Sequence, residues 1–292
     1  MAGNEPRRGR GASATVLPVA PTVCGHFPFG QPNTVRPMRR PVRPARALIV
    51  GIYPSAFHVA WSPPGTTSRR PLIGSLAVDV EPTVFWNGAE PSPEVLLDQW
   101  KTEVGFNESR HGTVSVEHNG PSSLGLERNV LIPLRLADDE VAFTNVVPWF
   151  FVKSGRGSKG EAIKQRFEPF GIENGVDPGS LPPRPTPHQL VEIARSDNRR
   201  DSLRAEILEA DAPVVVTLGQ EALDSVRAVT DRCAGVQSRL APAGYGTRGE
   251  VVIGSTTFEL LPLAHPGFVR QTTRADWKDA LAQWTEADQS DG

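Results

Sequence analysis

The sequence predicts an α/β fold: a three-layer α/β/α sandwich with a mainly parallel central sheet of about four strands. Three observations carry that prediction. Short, continuous apolar runs recur along the chain, as expected of strands buried on both faces. Segments with helical periodicity and helix-start signals lie between them. The runs stop at Gly, Asn or His, often beside Pro. Strands that alternate with helices in this way make a sheet covered on both sides.

Residues 1–46 carry eight arginines (7, 8, 10, 36, 39, 40, 43 and 46) against Glu5 alone. With frequent Pro, Gly and Ser, residues 1–45 read as a basic arm, disordered over its first 20 residues. It is either a solubilising tail or an arm that touches phosphates. "GHFPFGQP", Gly25 to Pro32, is too aromatic for a free tail and is expected to dock on the domain. From Arg46, "RALIVGI" is the first buried strand. "SLAVDVEPTVF" (Ser75 to Phe85) has β character broken by Pro82. "SPEVLLDQWKTEV" starts a helix, with Ser92 as N-cap and Pro93 in the first turn. "GLERNVLIPLRL" (Gly125 to Leu136) is a shorter helical candidate. "VAFTNVV" (Val141 to Val147) is the second buried strand.

Residues 151–187, rich in Gly, Lys, Arg and Pro, read as a long surface loop with at most one helical turn. Thr186 and Pro187 then open a helix through "HQLVEIARSDNRRDSLRAEILEA". "PVVVTLG" (Pro213 to Gly219) is the third strand and "QEALDSVRAVTDRC" the helix after it. "GYGTRGE" reads as a loop. "TTFELLPLAHP" (Thr256 to Pro266) is the fourth strand. The last helix, "TTRADWKDALAQWTEA", is expected to be capped by Thr272 or Thr273, leaving 288–292 as a tail.

The bulk properties narrow the function. With 292 residues, 38% hydrophobic, the chain suits one large domain with appendages. A net charge of −2 excludes a generic polycation, so any nucleic-acid surface is local. Two cysteines, Cys24 and Cys233, are too few for a four-cysteine zinc or iron–sulfur site. No metal or other cofactor is expected. There is no Gly-rich dinucleotide fingerprint, phosphate loop or Cys-x-x-Cys. Without a secretory signal or a membrane-length apolar run, the expectation is a reduced cytoplasmic protein.

Ligands of open α/β sheets bind outside the strands' carboxyl ends, here Gly51-Ile52-Tyr53-Pro54, Thr144-Asn145, Leu218-Gly219 and His265-Pro266-Gly267. His265 is a candidate catalytic group; its bland alternative is a structural turn histidine. The Asn145 carboxamide offers donor and acceptor in one plane, suited to the edge of a pyrimidine; otherwise it satisfies a nearby turn. Asp79 and Glu81 share a face if extended. Mutual repulsion then raises one pKa into acid–base range, unless both lie on a solvated edge. Tyr53, Phe57, Trp61, Phe85 and Trp86 are stacking candidates, with core packing the alternative for at least half.

In order, these pieces resemble the uracil-DNA glycosylase superfamily, nearest its thermostable iron–sulfur branch. "LIVGIYPS", "GPSSLGLERNVLIPLRLADDEVAFTNVVPWF", "RPTPHQLVEIARSDNRRDSLRAEILEADAPVVVTLGQEAL" and "LLPLAHPGFVRQTTRADWKDALAQW" carry the likeness across residues 46–287. The resemblance implies binding to DNA and hydrolysis of the N-glycosidic bond of a flipped-out base by a monomer. A stacked duplex hides that bond, and extrusion costs a few kcal/mol. By the same likeness, Asn145 reads the base edge and His265 stabilises charge on the leaving base. Gly267, Phe268 and Val269 fill the vacated stack, and Arg270 and Arg274 meet phosphates.

The chain also departs from that pattern. Tyr53 stands where the relatives carry a water-activating acid or amide, and a phenol of pKa about 10 is a poor base at neutral pH. The cluster cysteines are missing. The relatives' stacking Phe has no direct match; His118 sits nearest its place, and Phe85 or Trp86 would come from an insertion at about 55–118. Asp79 or Glu81 is then the replacement carboxylate, acting on a modified or damaged pyrimidine rather than plain uracil. Two rivals stand beside this reading: a non-catalytic DNA-binding or base-sensing module, and a hydrolase or transferase of free nucleosides.

Overall fold

The computed structural model describes residues 29–116, 119, 121–179, 181–271 and 275–290. β1 (Ala47–Gly51) is buried along its whole length. β2 (Ala56–Ser62) and β3 (Ile73–Val80) follow, then α1 (Pro93–Glu103), the single turn α2 (Glu108–His111) and β4 (Thr113–Val116). α3 (Pro121–Leu126) runs into a π turn (Glu127–Leu131) and leads to β5 (Val141–Asn145). α4 (Lys159–Ala162), a π turn (Ile163–Phe167) and α5 (Glu168–Glu173) form one continuous helical stretch. Then come α6 (Pro187–Arg195), α7 (Asp197–Ala210), β6 (Val214–Leu218) and α8 (Gln220–Val229). β7 (Arg232–Ala234), β8 (Gly249–Ile253), β9 (Thr256–Leu263), α9 (Pro266–Gln271) and α10 (Ala275–Ser290) complete the chain.

The main sheet has six strands in the order β5-β1-β6-β9-β8-β7. The four expected strands are its parallel part, and β8 and β7 extend it antiparallel. That pair escaped the sequence reading because β7 is short and mostly exposed, and "RC" continues a helical pattern. Arg204 ends that helix instead, holding the Val229 carbonyl and the Asp231 carboxylate, each at 2.8 Å. Leu190, Ile193, Leu203, Ile207 and Leu223 from α6, α7 and α8 pack one face of the sheet against Leu48, Val50 and Val215. Leu126, Val130, Leu281 and Trp284 from α3, its π turn and α10 cover the other, against Ile49, Phe143 and Leu261. Each such side chain, fully buried, contributes about 1.5–3 kcal/mol. The result is the three-layer sandwich.

β3, β2 and β4 make a second, antiparallel sheet with its own core. Trp61 packs edge-on against Phe167 and Phe170, both at 5.1 Å between centroids, and Phe29 meets Phe167 at 5.8 Å. This corrects the reading of 151–187 as a surface loop. Ile163 and Phe167, four apart, bury one stripe of a 15-residue helical stretch that its Gly- and charge-rich flanks conceal. The expected single helix from Pro187 is two, because Ser196 takes an extended ψ of 140° between α6 and α7. The Thr186 capping box and the Ser92 cap form as their sequences require.

Among the described residues the arm packs against the domain, with Phe29 buried. Arg39 pairs antiparallel with Phe143 and covers the outer edge of β5. Its guanidinium lies 3.9 Å over the Phe143 ring and bonds Asp138 at 2.7 Å. Arg40, Arg43 and Arg46 pair with Glu209, Asp139 and Glu140. These four cations are therefore committed within the molecule. Residues 1–28, and with them Cys24, lie outside the described residues, as do the proposed caps Thr272 and Thr273. Among the described residues no helix is long and apolar enough to cross a membrane.

Candidate functional site

Register sets the site. Gly51 pairs with Asn145, Val50 with Thr217, and Leu218 with Leu263, two residues before His265. Three strand spacings of ~4.8 Å therefore put the Asn145 strand end roughly 14 Å from the one that leads to His265.

Asn145 is 3% exposed, and its Nδ2 has no partner among the described residues. A buried orphan donor costs about 1–3 kcal/mol unless something arrives to accept from it. Arg199, itself buried, fixes the strand end: its Nη2 donates to the Asn145 carbonyl at 2.7 Å and its Nε to the Val146 carbonyl at 2.8 Å. Glu206 neutralises Arg199 at 2.7 Å and also accepts from the Thr144 hydroxyl.

Phe85 stands beside Asn145. A Cβ on Gly51 would lie 2.5 Å from Asn145 Oδ1 and 2.9 Å from Phe85 Cζ, so both side chains occupy space that only glycine leaves open. Phe85 has φ 55°, in the left-handed region, at a cost on the order of 1–3 kcal/mol. Ser123 holds its carbonyl at 2.6 Å, and its ring meets Phe143 at 5.6 Å. The residue is half-buried. Trp86 instead turns away into the second core against Phe57.

At the opposite wall, His265 Nδ1 accepts the Gly267 N–H at 3.1 Å. The neutral ring must then carry its proton on Nε2, as an outward donor. Burial, together with the Lys153 charge, lowers its pKa and favours that neutral form; Glu221 opposes the shift and Arg184 adds to it. Arg184 pairs with Glu221 at 2.8 Å and lies 5.6 Å over the Tyr53 ring. Burial raises the Tyr53 pKa, so its phenol stays protonated and serves as a donor rather than a base.

The two inserted carboxylates part company. Asp79 accepts from Val80 N–H at 2.8 Å, and its raised pKa reflects burial first, with Glu103, Arg36 and Gln31 around it. It therefore faces α1 and the N-terminal segment. Glu81 is 5% exposed and bonds Ser55, two residues beyond Tyr53, with Arg36 and Lys159 nearby. Burial raises its pKa to about 8. The Lys159 ammonium reaches His58 Nε2 at 3.4 Å, and burial lowers its pKa. The Lys153 charge acts on both Lys159 and His265 and lowers both pKa values.

Gly267, Phe268, Val269 and Arg270 begin α9. Phe268 is 48% exposed, its ring 5.4 Å from Trp277. His118 and Arg274 lie outside the described residues. Sequence reasoning missed Arg199, Arg184, Glu221, Ser55, Lys153 and Lys159. Glu221 had a signal, since it follows the Leu-Gly strand end by two residues. Arg199 had only its seven-residue spacing from Glu206, within a helix that reads as solvated. Among the described residues no group of His, Cys, Asp or Glu is placed to hold a metal.

The family model of the Uracil DNA glycosylase superfamily matches residues 41–286. No curated protein matches the chain. Among solved structures, a domain of unknown function from Bordetella bronchiseptica, crystallised with citrate as a domain-swapped dimer, is 12% identical. That likeness covers 83% of this chain and 71% of the other, with a TM-score of 0.22, too low to carry an argument.

Proposed function

The chain belongs to the uracil DNA glycosylase superfamily, and on that footing we propose that it takes a base extruded from DNA into the crevice between Asn145 and His265 and hydrolyses its N-glycosidic bond. The observation that carries this reading is the orphan Asn145 Nδ2 beside the Phe85 ring, in space that Gly51 leaves open. A pyrimidine stacked on Phe85 would supply the missing acceptor. His265 Nε2–H, from the other wall, would donate to the oxygen that gains charge as the bond breaks. A preorganised donor of that kind is worth about 3–4 kcal/mol.

Glu81 is the proposed replacement for the acid absent at Tyr53. With a pKa of about 8 it is largely protonated at neutral pH and becomes a base above that value. Asp79, turned toward α1, is assigned no chemical step. We read the substrate as a modified or damaged pyrimidine, because Tyr53 and Phe85 reshape two walls of the pocket. The wedge is assigned to Gly267, Phe268 and Val269, and Arg270 and Arg274 to phosphates. The protein is read as an intracellular monomer.

One observation favours a rival, a base-sensing module without catalysis: Tyr53 stands in place of the acid, and Glu81, with a pKa of about 8, is largely protonated at neutral pH. The test is incubation with duplexes carrying uracil or modified pyrimidines, followed by alkaline cleavage at abasic sites. Release from at least one supports hydrolysis. No release from any, with DNA binding intact, would sink it; release gained only by Tyr53→Asp would establish the rival.

A further inference from the structure

Among the described residues many arginines hold a carboxylate: Arg39, Arg43, Arg46, Arg184, Arg199 and Arg204 all do. Four other cations do not. Arg69, Arg70, Arg156 and Lys164 are exposed and make no ion pair among the described residues. They lie on two segments that the structure ties together. Arg166 Nη1 donates to the Leu72 carbonyl at 2.7 Å, which pins the 163–167 turn to the β2–β3 connection that carries Arg69 and Arg70.

The loop from Lys153 to Gly160, "KSGRGSKG", contains three cations and no acid. It closes through the Gly160 N–H to the Lys153 carbonyl at 3.0 Å. Glu161 is occupied in folding this loop, accepting from Gly157 N–H and from Gln165 at 3.0 Å. An open groove of about 760 Å³ runs beside it, with Gly155, Arg156, Lys164 and Glu168 on its rim and Leu181 on its wall. One end of this basic stretch is Lys153, whose charge acts on His265.

We propose that the 63–72 connection and the 153–166 loop and helix form a second DNA contact, a phosphate-binding track that grips the strand leading away from the crevice. Exposed cations without carboxylate partners, on two segments that the Arg166 bond holds together, suit a polyanion. Each phosphate they neutralise releases counterions and adds to the salt dependence of binding. The proposal rests on the DNA reading above but not on catalysis.

The experiment measures affinity for a labelled duplex with no modified base, by anisotropy, across a salt series. It compares wild type, R69A/R70A/R156A/K164A and the charge-keeping R69K/R70K/R156K. Four lost contacts should weaken binding and flatten the log–log salt slope by roughly 3 to 4, at ~0.9 per phosphate. The lysine variant should keep the wild-type slope, and base release at saturating enzyme should not change. A slope unaltered in the alanine variant would overturn the track even if base release is observed. So would loss of binding only to phosphatidylserine vesicles or to a polyglutamate peptide. A wild type with no salt-dependent DNA affinity would overturn both the track and the base-excision reading.

Discussion

Asn145 Oδ1 fills the space a side chain on Gly51 would need, 2.5 Å from the position of its Cβ. The two residues are register partners on adjacent parallel strands, so neither can move without disturbing the sheet. Gly51→Ala should therefore push aside the carboxamide and the Phe85 ring together. Overpacking of this kind costs about 1–3 kcal/mol. Thermal melting should show that loss, and base release should fall further than stability alone explains.

Arg199 is the clamp behind Asn145. Arg199→Ala would leave the half-buried Glu206 without its cation and free the carbonyls of Asn145 and Val146. Breaking a fully buried pair from one side costs about 3–5 kcal/mol; the loss here should be smaller, because Glu206 is partly exposed and keeps its bond to Thr144. Denaturant unfolding of the single and double variants at 199 and 206 measures it; the double variant should recover part of the loss.

His265→Ala should slow base release by about 10²–10³-fold while leaving affinity for an uncleavable duplex nearly unchanged. Its pKa is lowered from the ordinary 6.5, chiefly by burial. Protonation would place a hydrogen on Nδ1 facing the Gly267 N–H and break that bond. Single-turnover rates should therefore fall on acidification only below about pH 6.5, where the cation forms.

Glu81 gives the opposite limb. Its folded pKa of about 8 lies above the ordinary 4.5, so the folded state holds a proton that the unfolded chain has lost between those values. Its contribution to stability should be complete below 4.5 and decline by up to ~1.4 kcal/mol per pH unit toward 8. Glu81→Gln should remove that decline, which melts recorded at pH 5 and pH 8 would reveal. If Glu81 is the base, release by wild type should rise through pH 8 and the glutamine variant should lose that rise.

The parallel strands were legible because burial on both faces leaves continuous apolar runs. "ALIVG", "VAFTN", "VVVTL" and the end of "TTFELLPL" carry that mark, and their final residues hold Gly51, Asn145 and the approach to His265. The β7–β8 pair was not legible, since β7 is three residues, mostly exposed, and the apolar run of β8, Val251 to Ile253, is only three residues long. Phe85 was named only with Trp86 as its equal. What separates them is a left-handed backbone at Phe85, which no periodicity signals. The Asp79–Glu81 pair reads as one face of a strand, but the strand ends at Val80 and Glu81 turns toward Ser55.

The central claim is that the crevice between Asn145 and His265 holds an extruded base. It is tested most directly by the fluorescence of 2-aminopurine placed beside an uncleavable 2′-fluoro target nucleotide. Wild type should raise the signal on binding, as the target leaves the stack. The double variant N145A/F85A should bind the same duplex through its backbone contacts without that rise. An equal rise in the double variant, or none in wild type at full binding, would contradict the account.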